Sequence, residues 1–230
     1  IIRGLRFCSG FGQYTWWSTD KRGVSALTLS QRLGLSSWKA WTMLHKIRRA
    51  MRDRDSTYQL AGIVEIDDSF FGSPMQGSSK RGRGTSKTAV IVEASVHDDA
   101  IGFAKMTVVN KVDGATVEHV IKADLRENQI VKTDGLAVYN IVSESGHNHL
   151  QEIVKGKKAH EVLKWTHILI ANAKTFILGT FHRFGRKHLQ SYFDEFWYRF
   201  NRRRWEFQLF DRFVTACVNS QAVCCAELTQ

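Results

Sequence analysis

The sequence predicts an α/β chain: a mixed sheet laid down in the order βββαβ, preceded by a pair of short helices and followed by long ones. Three observations predict it. Three β-forming runs stand close together, at residues 62–72 (GIVEIDDSFFG), 88–96 (TAVIVEASV) and 101–109. Residues 113–127 then carry a helical period, with Val117, Val120, Ile121 and Leu125 on one face and Asp113 near the start, before a fourth β-type run at 130–137 (IVKTDGLA). The first and fourth runs both end in acids: Asp67 and Asp68 in one, Asp134 in the other.

Those acids break an apolar pattern. Burying an unpaired carboxylate costs several kcal/mol, so a ligand is expected there, and a divalent cation is the simplest one. Two carboxylates on two strands of one sheet can build an oxygen-ligand Mg²⁺ site. The order βββαβ with acids on the first and fourth strands is also the order of the RNase H-like fold, which is a fold-level analogy.

The 230 residues suffice for one α/β domain and a small accessory one. A hydrophobic share of 43% allows a core. No run of about 18 apolar residues occurs, so no membrane span is expected, and no basic-then-apolar stretch leads to the expectation of a secretory leader. A formal net charge of +11 favours a polyanionic partner, because basic surface supplies the non-specific part of nucleic-acid binding. Cys8, Cys217, Cys224 and Cys225 show no metal spacing and read as reduced thiols in a cytoplasmic protein. The first residue is Ile1 rather than Met, so an upstream module is expected to be missing.

Residues 1–19 are rich in Gly and Trp and are expected to be the remnant of that truncated module. In residues 20–58, Ala26, Leu29 and Leu33 have helical spacing, Ser25 is the expected N-cap and Gly34 the stop. Trp38, Trp41, Leu44, Ile47 and Met51 mark one apolar face of a second helix, with Lys39, Lys46, Arg49 and Arg52 largely off it. Two short helices, a turn holding a glycine and a basic second helix match a helix-turn-helix, or else a plain helical hairpin.

Residues 73–88 form a Gly/Ser-rich basic loop with Lys80, Arg81, Arg83 and Lys87, read either as a hairpin connection or as a flap touching phosphates. A fifth strand is expected within 147–154, then the basic run Lys155–Lys158. Helices are expected at 163–178, closed by Gly179, at 187–202, and from Trp205 to about Ala222. Phe193, Phe196, Trp197 and Phe200 are expected mostly in the core.

A two-metal phosphodiester site needs ligands from three places in the fold. Asp67 and Asp134 supply two, and the first long helix should supply the third. Its segment LKWTHILIANAKTF has no acid. His167 and Lys174 are seven apart, a rotation of about 700°, which leaves them on one face. Asn172, about 140° round from His167, should point elsewhere. His167 is therefore the expected third site residue and Lys174 a phosphate contact, against the alternative of a satisfied helical histidine and a solvated lysine.

EIDDSFFG, VKTDGLAVY, WTHILIANAKTFILGTFH and LQSYFDEFWYRFNRR, in this order, resemble the DDE-type transposases of prokaryotic insertion sequences. The likeness is to the subgroup whose third catalytic position is His or Asn, followed by a Lys. KRGVSALTLSQRLGLSSWKAWTMLHKIRRAM resembles the helix-turn-helix of that subgroup, and the whole resemblance spans residues 20–210. It implies an RNase H-like catalytic domain over 59–205, a C-terminal helix and tail over 206–230, and two Mg²⁺ ions, with Mn²⁺ able to substitute.

It also implies double-stranded DNA as partner, both element ends and target, and a homo-oligomer assembled on it, nucleoid-associated when bound. Asp67 and Asp134 match the first two acids, and Asp68 stands where the family commonly has Glu. His167 or Asn172 fills the third position, and Lys174 matches the conserved lysine. Arg199, Asn201 and Arg202 match a segment with a structural or DNA-contacting role. The family usually carries an N-terminal zinc ribbon, of which only Cys8 could remain. The expected activity is cleavage at element ends and strand transfer. A structure-selective nuclease on the same fold, or an inactive DNA-binding descendant, are the rival expectations. A neutral His167 ligand predicts activity that falls below about pH 6.

Overall fold

The computed structural model describes residues 22–72, 87–152, 162–181 and 185–229. The expected module remnant at 1–19 with Cys8, the loop cations Lys80, Arg81 and Arg83, and the basic run Lys155–Lys158 lie outside the described residues. Two compact units are formed, one by the described parts of Ile1–Thr57, Phe176–Arg183 and Asp194–Gln230, the other by those of Tyr58–Thr175 and Phe184–Phe193.

The second unit holds the sheet. Strands β1 (Ile63–Phe71), β2 (Thr88–His97) and β3 (Ala100–Val109) form the antiparallel meander that their β-branched runs predict. Helix α3 (Gly114–Asp124), after helices α1 and α2 of the other unit, starts where the Asp113 side chain accepts the Thr116 N–H at 2.9 Å. Strands β4 (Ile130–Asp134) and β5 (Asn148–Glu152) follow, β4 parallel to β1 and β5 parallel to β4. The resulting order β3-β2-β1-β4-β5 is that of an RNase H-like mixed sheet.

One sheet face packs Val64, Ile66, Ile91 and Val131 against Val117, Val120 and Ile121 of α3, with Tyr139 and Val142 completing the core. Tyr139 belongs to a 3₁₀ turn (Ala137–Asn140) that runs into the short helix α4 (Ile141–Glu144). Two expected boundaries are corrected. The α3 helix ends at Asp124, because Leu60 and Leu125 bridge as extended chain, and β4 stops at Asp134. The first parts of α5 (Lys164–Thr180) and α6 (Arg186–Asn201) also belong to this unit.

In the other unit, α1 (Ala26–Leu33) begins where Ser25 Oγ accepts the Thr28 N–H at 3.1 Å, and ends at Gly34 in the left-handed conformation (φ 63°) that glycine adopts most cheaply. Helix α2 (Ser37–Asp55) is capped by Ser36. Its buried ridge is not the expected tryptophan-led one: it runs through Ala40, Leu44, Arg48, Met51 and Asp55, while Trp38 is 55% exposed and stacks on Trp41. Charge explains the shift. Arg48 Nε donates to Glu195 Oε2 at 2.9 Å, and Arg202 Nη2 to Asp55 Oδ1 at 2.6 Å. The counter-ions lie on α6 (Glu195) and one residue past its end (Arg202), which a count of apolar residues cannot reveal.

Gly179 does not close α5, which runs to Thr180. A glycine inside a helix costs about 1 kcal/mol, less than the burial of Phe176 and Ile177 in the same turns returns. The expected single helix after Trp205 is broken. A 3₁₀ stretch (Arg203–Gln208) holds Trp205 at non-helical angles beneath the Arg212 guanidinium, before α7 (Leu209–Asn219) and α8 (Cys225–Thr229). Phe193, Phe196 and Trp197 are buried, as expected. Cys217 is buried, and Cys224 and Cys225 are exposed.

Candidate active site

The site begins with a register. Ile63, Val64 and Glu65 of β1 face Ile130, Val131 and Lys132 of β4, a constant offset in sequence. Carried two residues further, the same offset brings Asp67 level with Asp134. In parallel strands, level residues point to the same face, and every second residue shares it. Glu65, Asp67 and Asp134 therefore lie on one face of the sheet. Asp68, one residue on, turns to the other, where it accepts the Tyr139 hydroxyl at 3.0 Å.

Both aspartates are half-buried; Asp134 ends β4, but Asp67 lies mid-strand, because β1 runs on past the acids to Phe71 instead of ending at them as expected. Asp67 Oδ1 accepts the Asp68 N–H at 2.8 Å, and Asp134 Oδ1 accepts the Leu136 N–H at 3.2 Å. Tyr139 registers how closely the acids gather. Burial first, then the charges of Asp68 and Asp67, the hydrogen bond to Asp68 and the charge of Asp134, hold its phenol far above its ordinary pKa. It therefore stays a donor at any working pH.

The first turns of α5 run along the Asp67 face. Glu65 Oε2 accepts the N–H groups of Trp165 and Thr166 at 2.9 and 3.0 Å. His167 Nε2 stands 3.9 Å from Asp67 Oδ2, too far for a hydrogen bond but close enough for an ion pair when protonated. Two turns along, Lys174 Nζ lies 5.6 Å from the Phe71 ring centre. Asn172 is exposed on α5, while His167 is half-buried. Among the described residues, no three His, Cys, Asp or Glu side chains are grouped to hold a metal.

The other candidate residues lie elsewhere in the chain. Lys39 is exposed in the first turn of α2, Lys46 is half-buried, and Arg49 pairs with Asp53 at 2.9 Å. Arg199, Asn201 and Arg202 are all buried. Arg199 holds Glu195 at 3.0 Å and Arg202 holds Asp55 at 2.6 Å, contacts that fit the structural one of the two expected roles. Glu65 and Tyr139 went unread in the sequence. The period of two in β1 could have placed Glu65 on the Asp67 face, but nothing local tied Tyr139 to Asp68.

The model of the ISXO2-like transposase domain matches residues 59–201. No curated protein matches the chain. Among solved structures, it is similar to one of a simian T-cell lymphotropic virus intasome in complex with PP2A regulatory subunit B56 gamma, at 15% identity and TM-score 0.40. That alignment covers 79% of this chain and 64% of the other, so the chain spans less than two thirds of that relative. It is also similar to a Mos1 transposase paired-end complex with left transposon end, at 13% identity and TM-score 0.36, over 84% of this chain and 73% of that one. No described helix is long and apolar enough to cross a membrane. The family match takes in more than half of the chain, from the approach to β1 through the end of α6, and on that ground the chain belongs to the ISXO2-like transposase domain family.

Proposed function

We propose that this chain is a DDE-type transposase of the prokaryotic insertion-sequence group that cuts DNA at element ends and joins those ends to target DNA. The observation that carries this reading is the shared register of Asp67 and Asp134 on one sheet face, with His167 3.9 Å from Asp67. The donor set suits Mg²⁺, with Mn²⁺ as a substitute. Magnesium is commonly held by one or two carboxylates and takes its remaining ligands from water and substrate phosphates. A pair of aspartates, each with one oxygen fixed by a backbone N–H, meets that requirement without a third acid.

Asp67 and Asp134 would hold the cation, which would supply a water of lowered pKa and offset charge that develops on the phosphodiester. His167 orients the nucleophile or adds a nitrogen ligand, and Lys174 contacts a phosphate. Hydrolysis at the element end frees a 3′ hydroxyl, which then displaces the leaving oxygen of a second phosphodiester in target DNA. No bond to the protein forms at either step.

Residues 20–58 act as the helix-turn-helix, with Lys39, Lys46 and Arg49 toward DNA, and Lys80, Arg81 and Arg83 add positive charge for phosphates. Assembly of a homo-oligomer on two element ends, in the cytoplasm and on the nucleoid, belongs to the same reading. The test is in vitro joining of end-containing DNA. Asp67→Asn and Asp134→Asn should each reduce joining to background while still binding DNA. Joining at wild-type rates by either variant would overturn the proposal.

One observation favours a second reading, an inactive DNA-binding descendant: no third acid joins the aspartates among the described residues. Magnesium-dependent nicking by the wild-type protein would exclude it.

A further inference from the structure

We propose that Glu65 is a positioning residue: by clamping the start of α5 to β1 it sets His167 against Asp67. The inference rests on the catalytic reading above, and its basis is geometric. The Glu65 side chain is 5% exposed, and one of its oxygens, Oε2, takes two adjacent backbone N–H groups, from Trp165 at 2.9 Å and Thr166 at 3.0 Å. These belong to the first turn of a helix that begins at Lys164, where N–H groups have no partner within the helix. The carboxylate thus ties the third residue of β1 to the first turn of α5.

His167 is the next residue after the second of those donors. Along β1, Asp67 is two residues beyond Glu65 on the same face, about 6.6 Å away. Glu65 with Trp165 and Thr166, and Asp67 with His167, are therefore successive contacts of one strand and one helix. Asp67 is fixed by the sheet whatever α5 does. His167 lies on α5, outside the sheet, and its position follows that of the helix start. Loosening the first contact moves the imidazole and leaves the aspartate in place.

Other groups around the carboxylate fit this role. Lys132, level with Glu65 on β4, stands beside it but pairs with Glu152 at 3.6 Å. Burial raises the Glu65 pKa, while the two N–H groups and then Lys132 pull it back. An acceptor oxygen at that reach is what the helix start requires; the charge itself is not.

Reach and charge separate experimentally. Glu65→Gln keeps the length and an acceptor oxygen and removes the charge. Glu65→Asp keeps the charge and loses one methylene of reach. Hydrogen exchange of the amides at Trp165, Thr166 and His167, with the imidazole ¹H–¹⁵N correlations, reads the clamp without any reaction. In Glu65→Asp those amides should exchange at least about tenfold faster and the His167 resonance should move, while the His119 and His147 resonances stay. Glu65→Gln should match wild type in both.

Joining should follow the same ranking. Glu65→Asp should fall by about 100-fold, the scale of a misplacement near 1 Å, and Glu65→Gln should stay within about threefold. Unchanged exchange and an unmoved His167 in Glu65→Asp would overturn the clamp, as would loss in Glu65→Gln with retention in Glu65→Asp. If the exchange pattern holds but wild-type protein joins no DNA, the clamp stands and the catalytic reading fails.

Discussion

Glu93 sits at the middle of β2 with no exposed surface. It faces Lys105 on β3, whose ammonium pairs with Asp124 of α3 at 2.6 Å. Its oxygens make no well-formed hydrogen bond among the described residues, although Asp124 is near enough to share a proton with it. Burial first, then the Asp124 charge and that shared proton, push its pKa well above the ordinary 4.5, with Lys105 pulling the other way. The folded state therefore favours the neutral acid. Stability from this group is fully present below the unfolded-chain value and is lost progressively as pH climbs from there through the raised folded value. Glu93→Gln keeps the shape and removes the titration. Its denaturant midpoint should match wild type near pH 5 and exceed it increasingly toward pH 9; parallel pH profiles for the two proteins would show that Glu93 is not held neutral.

At the scale of elements, α2 is tied by charge to α6 and to the residue just past its end. Arg48 with Glu195, and Arg202 with Asp55, have side chains at most 8% exposed. Breaking such a pair strands a charge and costs about 3–5 kcal/mol, whereas replacing both partners with apolar residues of similar volume is often neutral. Asp55→Ala should lower the unfolding free energy by about that amount in a urea titration, and the double variant Asp55→Leu, Arg202→Met should recover most of it. A single variant within about 1 kcal/mol of wild type would mean that water enters and the pair is not truly buried.

The same pairs show why part of the fold was legible in the sequence and part was not. The Ser25 cap, the Gly34 stop, the three-stranded meander and the Asp113 cap are local, and each left a local signature. The buried ridge of α2 is decided by Glu195, which lies 147 positions beyond Arg48 in sequence, and no window around Arg48 contains it. The candidate site divides likewise. Acids interrupting apolar β-type runs marked Asp67 and Asp134, and the period of α5 singled out His167 and Lys174. The contacts of Asp68 with Tyr139 and of Glu65 with α5 depend on which strand lies beside which.

For the molecule as a whole, charge is the property that reaches farthest from the site. A net +11 over 230 residues is carried by 33 basic against 22 acidic side chains. Many of the acids are already committed internally: Asp55, Asp124 and Glu195 hold buried or partly buried cations, and Asp53 holds Arg49. Among the described residues, exposed Lys39 has no ion pair to give up on binding a polyanion, unlike Lys111, Lys122 and Lys164. DNA binding should therefore weaken steeply with salt, since each phosphate neutralised releases counter-ions and adds about 0.9 to the slope of log K against log salt. If α2 is the DNA-facing helix, Lys39→Ala with Lys46→Ala should reduce that slope by nearly two and weaken binding about equally for end and random sequences, as phosphate contacts do. Asp67→Asn should leave the slope unchanged. Fluorescence anisotropy between 50 and 200 mM salt measures all three proteins, and an unaltered slope in the double lysine variant would remove α2 from the DNA-contacting surface while leaving the sheet and its aspartates untouched.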